Sequence, residues 1–391
     1  MADVTKWTDC ALGDVVNLKR GYDLPERDRM EGEYPIVSSS GVTGSHNVAM
    51  VKGPGVVTGR YGTLGQVFYI SGDFWPLNTS LYVQDFKGNH PLFIRYLLQT
   101  LDFGQRSGAA AVPGVNRNAL HMLRIKKPDL STQQKIAAIL SAYDDLIENN
   151  LRRIKILEEM TQNLYCEWFV KFRFPDHEHA RFTGSMLGRI PERWEVVPLG
   201  KLTELRKDKF NEQQHSECPL LDLAKMQQRT LSVGEMGSPD ELTTSRIVFE
   251  EDDILFGSIR PYLHKVALAP CRGITNVSVL VLRPADKTLQ SFLAVLVSSI
   301  DTIRWADQHS TGTKMPVIKW ETLQTMPVLL PSQAVLRSFE TSVQPMLQTV
   351  KMIFSRNQNL RRTRDLLLPR LISGEVDVSE LDIVVPEEVM T

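Results

Sequence analysis

An internal echo constrains this chain more than any other feature. Trp7 precedes Leu12-Gly13 in KWTDCALGDV, and Trp194 precedes Leu199-Gly200 at the same spacing in RWEVVPLGK, 187 residues later. The echo continues in order. GVVTG (55–59) matches DILFG (253–257) with Gly59 on Gly257, and Asn78 falls on Asn276, both 198 residues on. FIRYLLQTLD (93–102) matches FLAVLVSSID (292–301) at 199, and Pro113, Leu120 and Ile125 fall on Pro316, Leu323 and Val328 at 203. Chance similarity does not hold its order over such a distance, whereas a duplication with small loop insertions does. A duplicated chain of 391 residues, too long for one ordinary core, is expected to fold as two copies of one design.

Each copy ends in a long helical pattern. Leu140, Tyr143, Ile147, Asn150, Ile154, Leu157, Thr161, Leu164 and Trp168 alternate by threes and fours, the seam of a coiled coil. Moved by 203 residues, the seam reads Val343, Met346, Val350, Ile353, Asn357, Leu360, Arg364, Leu367 and Leu371. At about 1.5 Å per residue, each helix would run roughly 50–60 Å, the length of a spacer. The expected fold class is α/β (α+β): two tandem, pseudo-twofold-related globules separated by a long antiparallel two-helix coiled coil. The expected boundaries are a first globule at 1–130, a helix at 131–172, a linker at 173–189, a second globule at 190–331, a helix at 332–373 and a tail at 374–391. Placing Asn150 opposite Asn357 pairs residues whose numbers total 507. That register sets Tyr143 against Arg364 in a cation–π contact, and Trp168 against Phe339.

Catalytic signatures are missing. The sequence has no phosphate loop of the G-x-x-x-x-G-K-[ST] type, no G-x-S-x-G elbow and no Cys/His metal cluster. His177-Glu178-His179 reads as a solvated loop. Asp144-Asp145 and Glu158-Glu159 are adjacent on a helix, so their side chains diverge. GRYGTLG (59–65) lacks the strand–helix context of a dinucleotide site. Four scattered cysteines and an N-terminus without an apolar run point to a reducing, cytoplasmic setting. The formal net charge of −1 leaves nucleic-acid binding to local patches or to partners that bring positive charge.

Two similar globules on a fixed spacer suit two related sites at a set separation, which duplex DNA offers. Gly59-Arg60-Tyr61-Gly62 puts a cation and an aromatic after a strand, and Gly257-Ser258-Ile259-Arg260-Pro261-Tyr262 again carries both. Arg reads guanine in the major groove, while hydroxyls and amides reach bases or phosphates. The candidate DNA-contacting residues are Ser39, Ser40, His46, Arg60, Tyr61, Thr63, Asn116, Arg117, Lys207, Lys209, Arg260, Tyr262, His264 and Lys314. The rival expectations are a coiled-coil scaffold whose globules bind proteins or sugars, and a nuclease with an unrecognised site.

The chain resembles the specificity subunits of type I restriction–modification systems over nearly its whole length. The resemblance rests on IPERWEVVPLG (190–200), VVTGRYGTLGQV (56–67) with FWPLNTSLYV (74–83), PDLSTQQKIAAILSAYDDLIENN (128–150), NLYCEWFVKFRF (163–174) and LLLPRLISGEVDV (366–378). It implies that each globule is a target recognition domain reading one half of a bipartite double-stranded DNA target. It implies that the helices dock two adenine-N6 methyltransferase subunits, and that restriction subunits join the complex. S-adenosylmethionine, ATP and magnesium would then bind those partners, and this chain would hold no cofactor, no metal and no catalytic residue. No [DNS]-P-P-[YFW] tetrapeptide is present. The second globule departs from the first at ILFGSIRPYLHKVAL, where the glycine-rich turn is lost, so two differently shaped recognition loops are expected.

Overall fold

A computed structural model describes residues 7–61, 64–101, 114–242 and 245–387. The chain divides into two compact units, residues 1–146 with 360–391, and residues 147–359.

In the first unit, strand Trp7–Ala11 pairs antiparallel with Arg124–Pro128, Cys10 opposite Ile125. This pairing brings the two ends of the globule together just before the first long helix, Leu130–Tyr165. Between them lies an antiparallel sheet in the order Asn17–Arg20, Ser80–Asp85, Gly55–Gly59, Val67–Ile70. A second sheet runs Gly41–His46, Tyr34–Ser38, Trp75–Pro76. Helix Pro91–Gln99 starts at His90, whose ring caps the N–H of Phe93, and buries Leu92, Phe93, Ile94, Tyr96, Leu97 and Leu98. The core it enters also takes Ile136, Ala137 and Leu140 of the first long helix, and Leu371 and Ile372 of the second, Gln333–Ser373.

The second unit repeats the plan. Strand Glu195–Pro198 pairs with Pro327–Leu330, Val197 opposite Val328. A four-stranded sheet runs Thr203–Arg206, Val279–Pro284, Ile254–Gly257, Val266–Leu268, the strand order of the first globule. The second sheets diverge. In the first globule a hairpin is joined by a parallel strand, whereas here Asp208–Lys209, Arg246–Phe249 and Gly273–Asn276 are all antiparallel.

The repeated tryptophans have one structural explanation. Each packs where a long helix ends. Gly374 follows the second helix in the left-handed region (φ 79°), and a Cβ there would come within 2.8 Å of the Trp7 indole. Trp194 meets Phe169, Phe172 and Phe174 as the chain leaves the first helix through a π turn, Cys166–Val170.

The helices run antiparallel within each unit. In the second, Asn150 Nδ2 donates to Asn357 Oδ1 at 2.8 Å, Ile154 packs with Val350 and Ile353, and Trp168 lies against Phe339 at 5.6 Å between ring centres. In the first, Leu140 shares a core with Leu367 and Leu371. Arg364 does not reach for Tyr143. Its guanidinium bonds Asp144 at 2.6 Å and Asp365 at 2.8 Å. A charge-assisted bond to a half-buried carboxylate outweighs a cation–π contact of about 0.5–1 kcal/mol.

Further bonds hold each globule to its helices. The Glu158 carboxylate accepts from the Thr230 hydroxyl and the Ser232 N–H, both at 2.7 Å. Buried Lys351 donates to Glu251 at 2.7 Å and Asp252 at 2.5 Å. In the first unit Asp144 also accepts from Arg95 and Tyr96, both at 2.7 Å, and Gln133 accepts from the His90 N–H at 2.9 Å.

Asn357 Nδ2 is buried with no partner, so the amide pair is half satisfied. Asn357→Leu strands the Asn150 amide and should cost about 1–3 kcal/mol in urea unfolding, whereas changing both residues to Leu should recover the loss or exceed wild type. A single variant as stable as the double would contradict the pairing. Burial alone would raise the pKa of Asp144, but Arg95, Tyr96 and Arg364 overcome it and hold the carboxyl below its ordinary 3.8. Its contribution is therefore present above that value and lost as pH falls through the depressed pKa. Acid titration of Asp144→Asn should show a shallower fall in stability below about pH 4 than the parent.

Candidate nucleic-acid interface

The strand Gly55–Gly59 ends at Arg60, on a tip fixed by backbone bonds. The Arg60 N–H donates to the Thr79 carbonyl at 2.9 Å, and the Arg60 carbonyl accepts from the Val115 N–H at 3.0 Å. Tyr61 also donates to Thr79, at 3.2 Å, and bridges to Gly114. The Arg60 guanidinium lies 4.6 Å over the Tyr61 ring and donates to its hydroxyl at 3.2 Å. Among the described residues, stacking spends the cation's face and one N–H, leaving the rest of the donor fork for a ligand. Asn116 and Arg117 follow Val115 in the chain, both exposed. Asn116 caps the short helix Arg117–His121 by accepting from the Asn118 N–H at 2.9 Å. Thr63 lies outside the described residues.

The other candidates of the first globule sit on its second sheet. Ser39 and Ser40 form the turn between Tyr34–Ser38 and Gly41–His46, Ser40 being exposed. His46 is buried. Its Nδ1 faces the Met30 N–H at 3.1 Å, and its ring meets Trp75 edge-on at 5.1 Å. It is an internal brace for the hairpin, contrary to the expectation of a surface contact.

The second globule reproduces the frame with different side chains. The Ser258 N–H donates to the Ser278 carbonyl at 2.9 Å, and the Ser258 carbonyl accepts from the Ile318 N–H at 3.0 Å. Ile259 bridges to Val317. Ser258 therefore stands where Arg60 stands, and Ile259 where Tyr61 stands. The match of Gly59 with Gly257 gives the same correspondence, so the Arg and Tyr of the second segment lie beyond the positions of Arg60 and Tyr61. Arg260 comes two residues later in the left-handed region (φ 50°), held by its N–H to the Pro316 carbonyl at 2.7 Å. The turn Pro261–Leu263 follows and exposes Tyr262.

His264, also left-handed (φ 52°), closes that turn. Its Nε2 donates to the Ser298 carbonyl at 2.7 Å, and its carbonyl accepts from the Arg229 N–H at 2.8 Å. Burial, opposed by the Ser298 bond and helped by Arg229, holds the imidazole below its ordinary pKa. Lys314 is exposed on a loop closed by two backbone bonds between Thr311 and Val317, at 3.0 and 2.9 Å. That loop contains Pro316, so Arg260, Tyr262 and Lys314 share one tip. Lys209 is exposed in the edge strand of the other sheet, and Lys207 is exposed between that strand and Thr203–Arg206.

Residue-by-residue reading missed Asp23 and Asn78. Asn78 precedes Thr79, the acceptor that fixes Arg60, and donates to Asp23, which also lies 3.5 Å from Arg20. The signal was the repeat itself, which matches Asn78 with Asn276. Among the described residues no His/Cys/Asp/Glu group is placed to hold a metal, and no helix is long and apolar enough to cross a membrane.

Residues 5–159 match the family model of the type I restriction modification DNA specificity domain. The chain is 24% identical over 305 residues to the type I restriction enzyme MjaIX specificity subunit of Methanocaldococcus jannaschii, covering 74% of this chain and 70% of that one. It is 21% identical over 462 residues to the HindI specificity subunit of Haemophilus influenzae, covering 95% of this chain and 100% of that one. The fold matches the crystal structure of a type I restriction–modification S subunit from M. genitalium with a TM-score of 0.60 at 16% identity, over 95% of this chain and 97% of that one.

Arg260 bears a left-handed backbone that a side chain disfavours by about 1–2 kcal/mol, partly offset in glycine by its freer unfolded chain. Arg260→Gly should leave urea stability unchanged or raise it by up to about 1 kcal/mol. A clear loss would mean that the Arg260 side chain stabilises the turn.

Proposed function

Because the chain belongs to the specificity-subunit family of type I restriction–modification systems, we propose that its two globules read the two halves of a bipartite duplex target. The observation that carries this reading is the pair of tips built on one backbone frame with different side chains. Arg60 and Tyr61 crown one, and Arg260, Tyr262 and Lys314 crown the other. A common frame suits a common ligand, B-form DNA, and unlike side chains suit unlike base sequences. Asn116, Arg117, Ser39, Ser40, Lys207 and Lys209 then contribute hydroxyl, amide and phosphate contacts around the tips.

The chain itself carries out no chemistry in this reading. Methyltransferase subunits dock along the long helices, restriction subunits join through them, and S-adenosylmethionine, ATP and magnesium bind to those partners. The helices offer surface for such docking. Leu151, Ile156, Met160 and Met352 of the second unit are large, apolar and exposed, as are Leu146 and Leu366 of the first. A net charge of −1 suits a protein whose partners supply much of the phosphate grip.

Loss of a bidentate Arg–base contact costs about 1–3 kcal/mol of discrimination. Arg60→Ala should therefore relax one half of the selected target and leave the other intact, and Arg260→Ala should do the reverse. Equal weakening on all sequences would assign these side chains to phosphates. Purified chain with S-adenosylmethionine, ATP and magnesium should neither methylate nor cut DNA. Robust turnover without other subunits would refute a purely recognising role.

A further inference from the structure

We infer that Gly114 positions the Arg60–Tyr61 platform, and so acts as a specificity determinant of the first reading tip without touching DNA itself. The inference rests on the reading of Arg60 given above. A Cβ at Gly114 would stand 2.4 Å from Cε1 and 2.9 Å from Cδ1 of Tyr61, closer than side-chain atoms approach one another. What glycine supplies here is room for the aromatic ring. The ring in turn carries the guanidinium, through the 4.6 Å stacking and the 3.2 Å bond to its hydroxyl.

The second globule gives an internal control. The equivalent bridge joins Ile259 to Val317, a β-branched side chain on each strand, and at the frame position of Arg60 it has Ser258. The same backbone thus supports either an aromatic opposite no side chain or two branched aliphatics opposite each other. In the first arrangement a cation is stacked at the strand end. In the second the cation comes from Arg260, two residues on, held by Pro316. An exchange of volume across the bridge thus accompanies a two-residue shift in where each tip presents its guanidinium.

The test uses the full chain together with the methyltransferase subunits proposed to join it, selecting from a duplex library randomised over both half-sites. Variants are Gly114→Ala, Gly114→Val, the double Tyr61→Ile/Gly114→Val, and Arg60→Ala as reference. Either Gly114 single variant should lose about tenfold or more of its base discrimination in one half-site, with the other unchanged. The double variant, which rebuilds the second tip's packing in the first, should recover the wild-type urea midpoint but not the lost discrimination. That split separates positioning from mere stability. If Arg60→Ala relaxes one half-site while folded Gly114→Ala keeps full discrimination, the inference is wrong and the reading of Arg60 stands. If the double variant folds and discriminates like wild type, the platform is dispensable and the inference again falls. If neither Arg60→Ala nor Gly114→Ala alters either half-site, the reading of Arg60 fails with it.

Discussion

The hydrogen bond between Asn150 and Asn357 sits in a seam of branched aliphatics, where an amide without a partner costs about 1–3 kcal/mol. A slip of one heptad would part the two amides, setting Asn150 against Val350 or Arg364 and Asn357 against Tyr143 or Leu157, so the pair selects one register among several that the apolar residues alone would accept. The second unit depends on that choice. With Asn150 opposite Asn357, Glu158 lies under Thr230 and Ser232, Lys351 under Glu251 and Asp252, and Trp168 against Phe339. The sheet that carries the Arg260 tip is thereby held by both helices of its unit. The amide that remains unpartnered on Asn357 is the stability given up for this specificity.

A second constraint concerns the tips. Backbone donors and acceptors at a strand end must be paired wherever they are buried, so the bonds from Arg60 and Ser258 to Thr79, Val115, Ser278 and Ile318 recur whatever side chain is present. Side chains projecting from that frame bear no such obligation and are free to differ. Strain gathers at the divergent tip, where Arg260 and His264 both adopt left-handed backbone and each is tied by a backbone bond. Each strand end is thus a backbone frame fixed by hydrogen bonds, and variation is confined to what stands on it.

Periodic features were legible in the sequence. The seam placed Asn150 by Asn357 and Trp168 by Phe339, because regular spacing determines which side chains of two helices can meet. The strand order common to the two globules follows from the ordered echo that runs from Trp7 to Ile125. Local competition was not legible. Arg364 had both Tyr143 and Asp144 near the seam, and periodicity does not say that the carboxylate wins. The offset of 198 sets Ser258 on Arg60, but the shared frame lies in hydrogen bonds between segments about 20 and 60 residues apart, which spacing does not reveal. His46 and His264 carry the composition of surface residues, and only the fold reveals that each braces a loop from within.

Lys351 has a side chain only 7% exposed, and it is clasped by two carboxylates. Mobile ions screen charges across open water within about 10 Å at 0.1 M and reach the exposed Glu251 and Asp252 carboxylates, but they do not weaken the apolar packing of Leu336, Phe339 and Val343 into the core of the same unit. The grip on DNA phosphates obeys the opposite rule, because it releases condensed counterions and weakens steeply as ionic strength rises. Concentrated salt should therefore strip away the duplex proposed to bind the second globule long before it loosens that globule from the helix on which it rides.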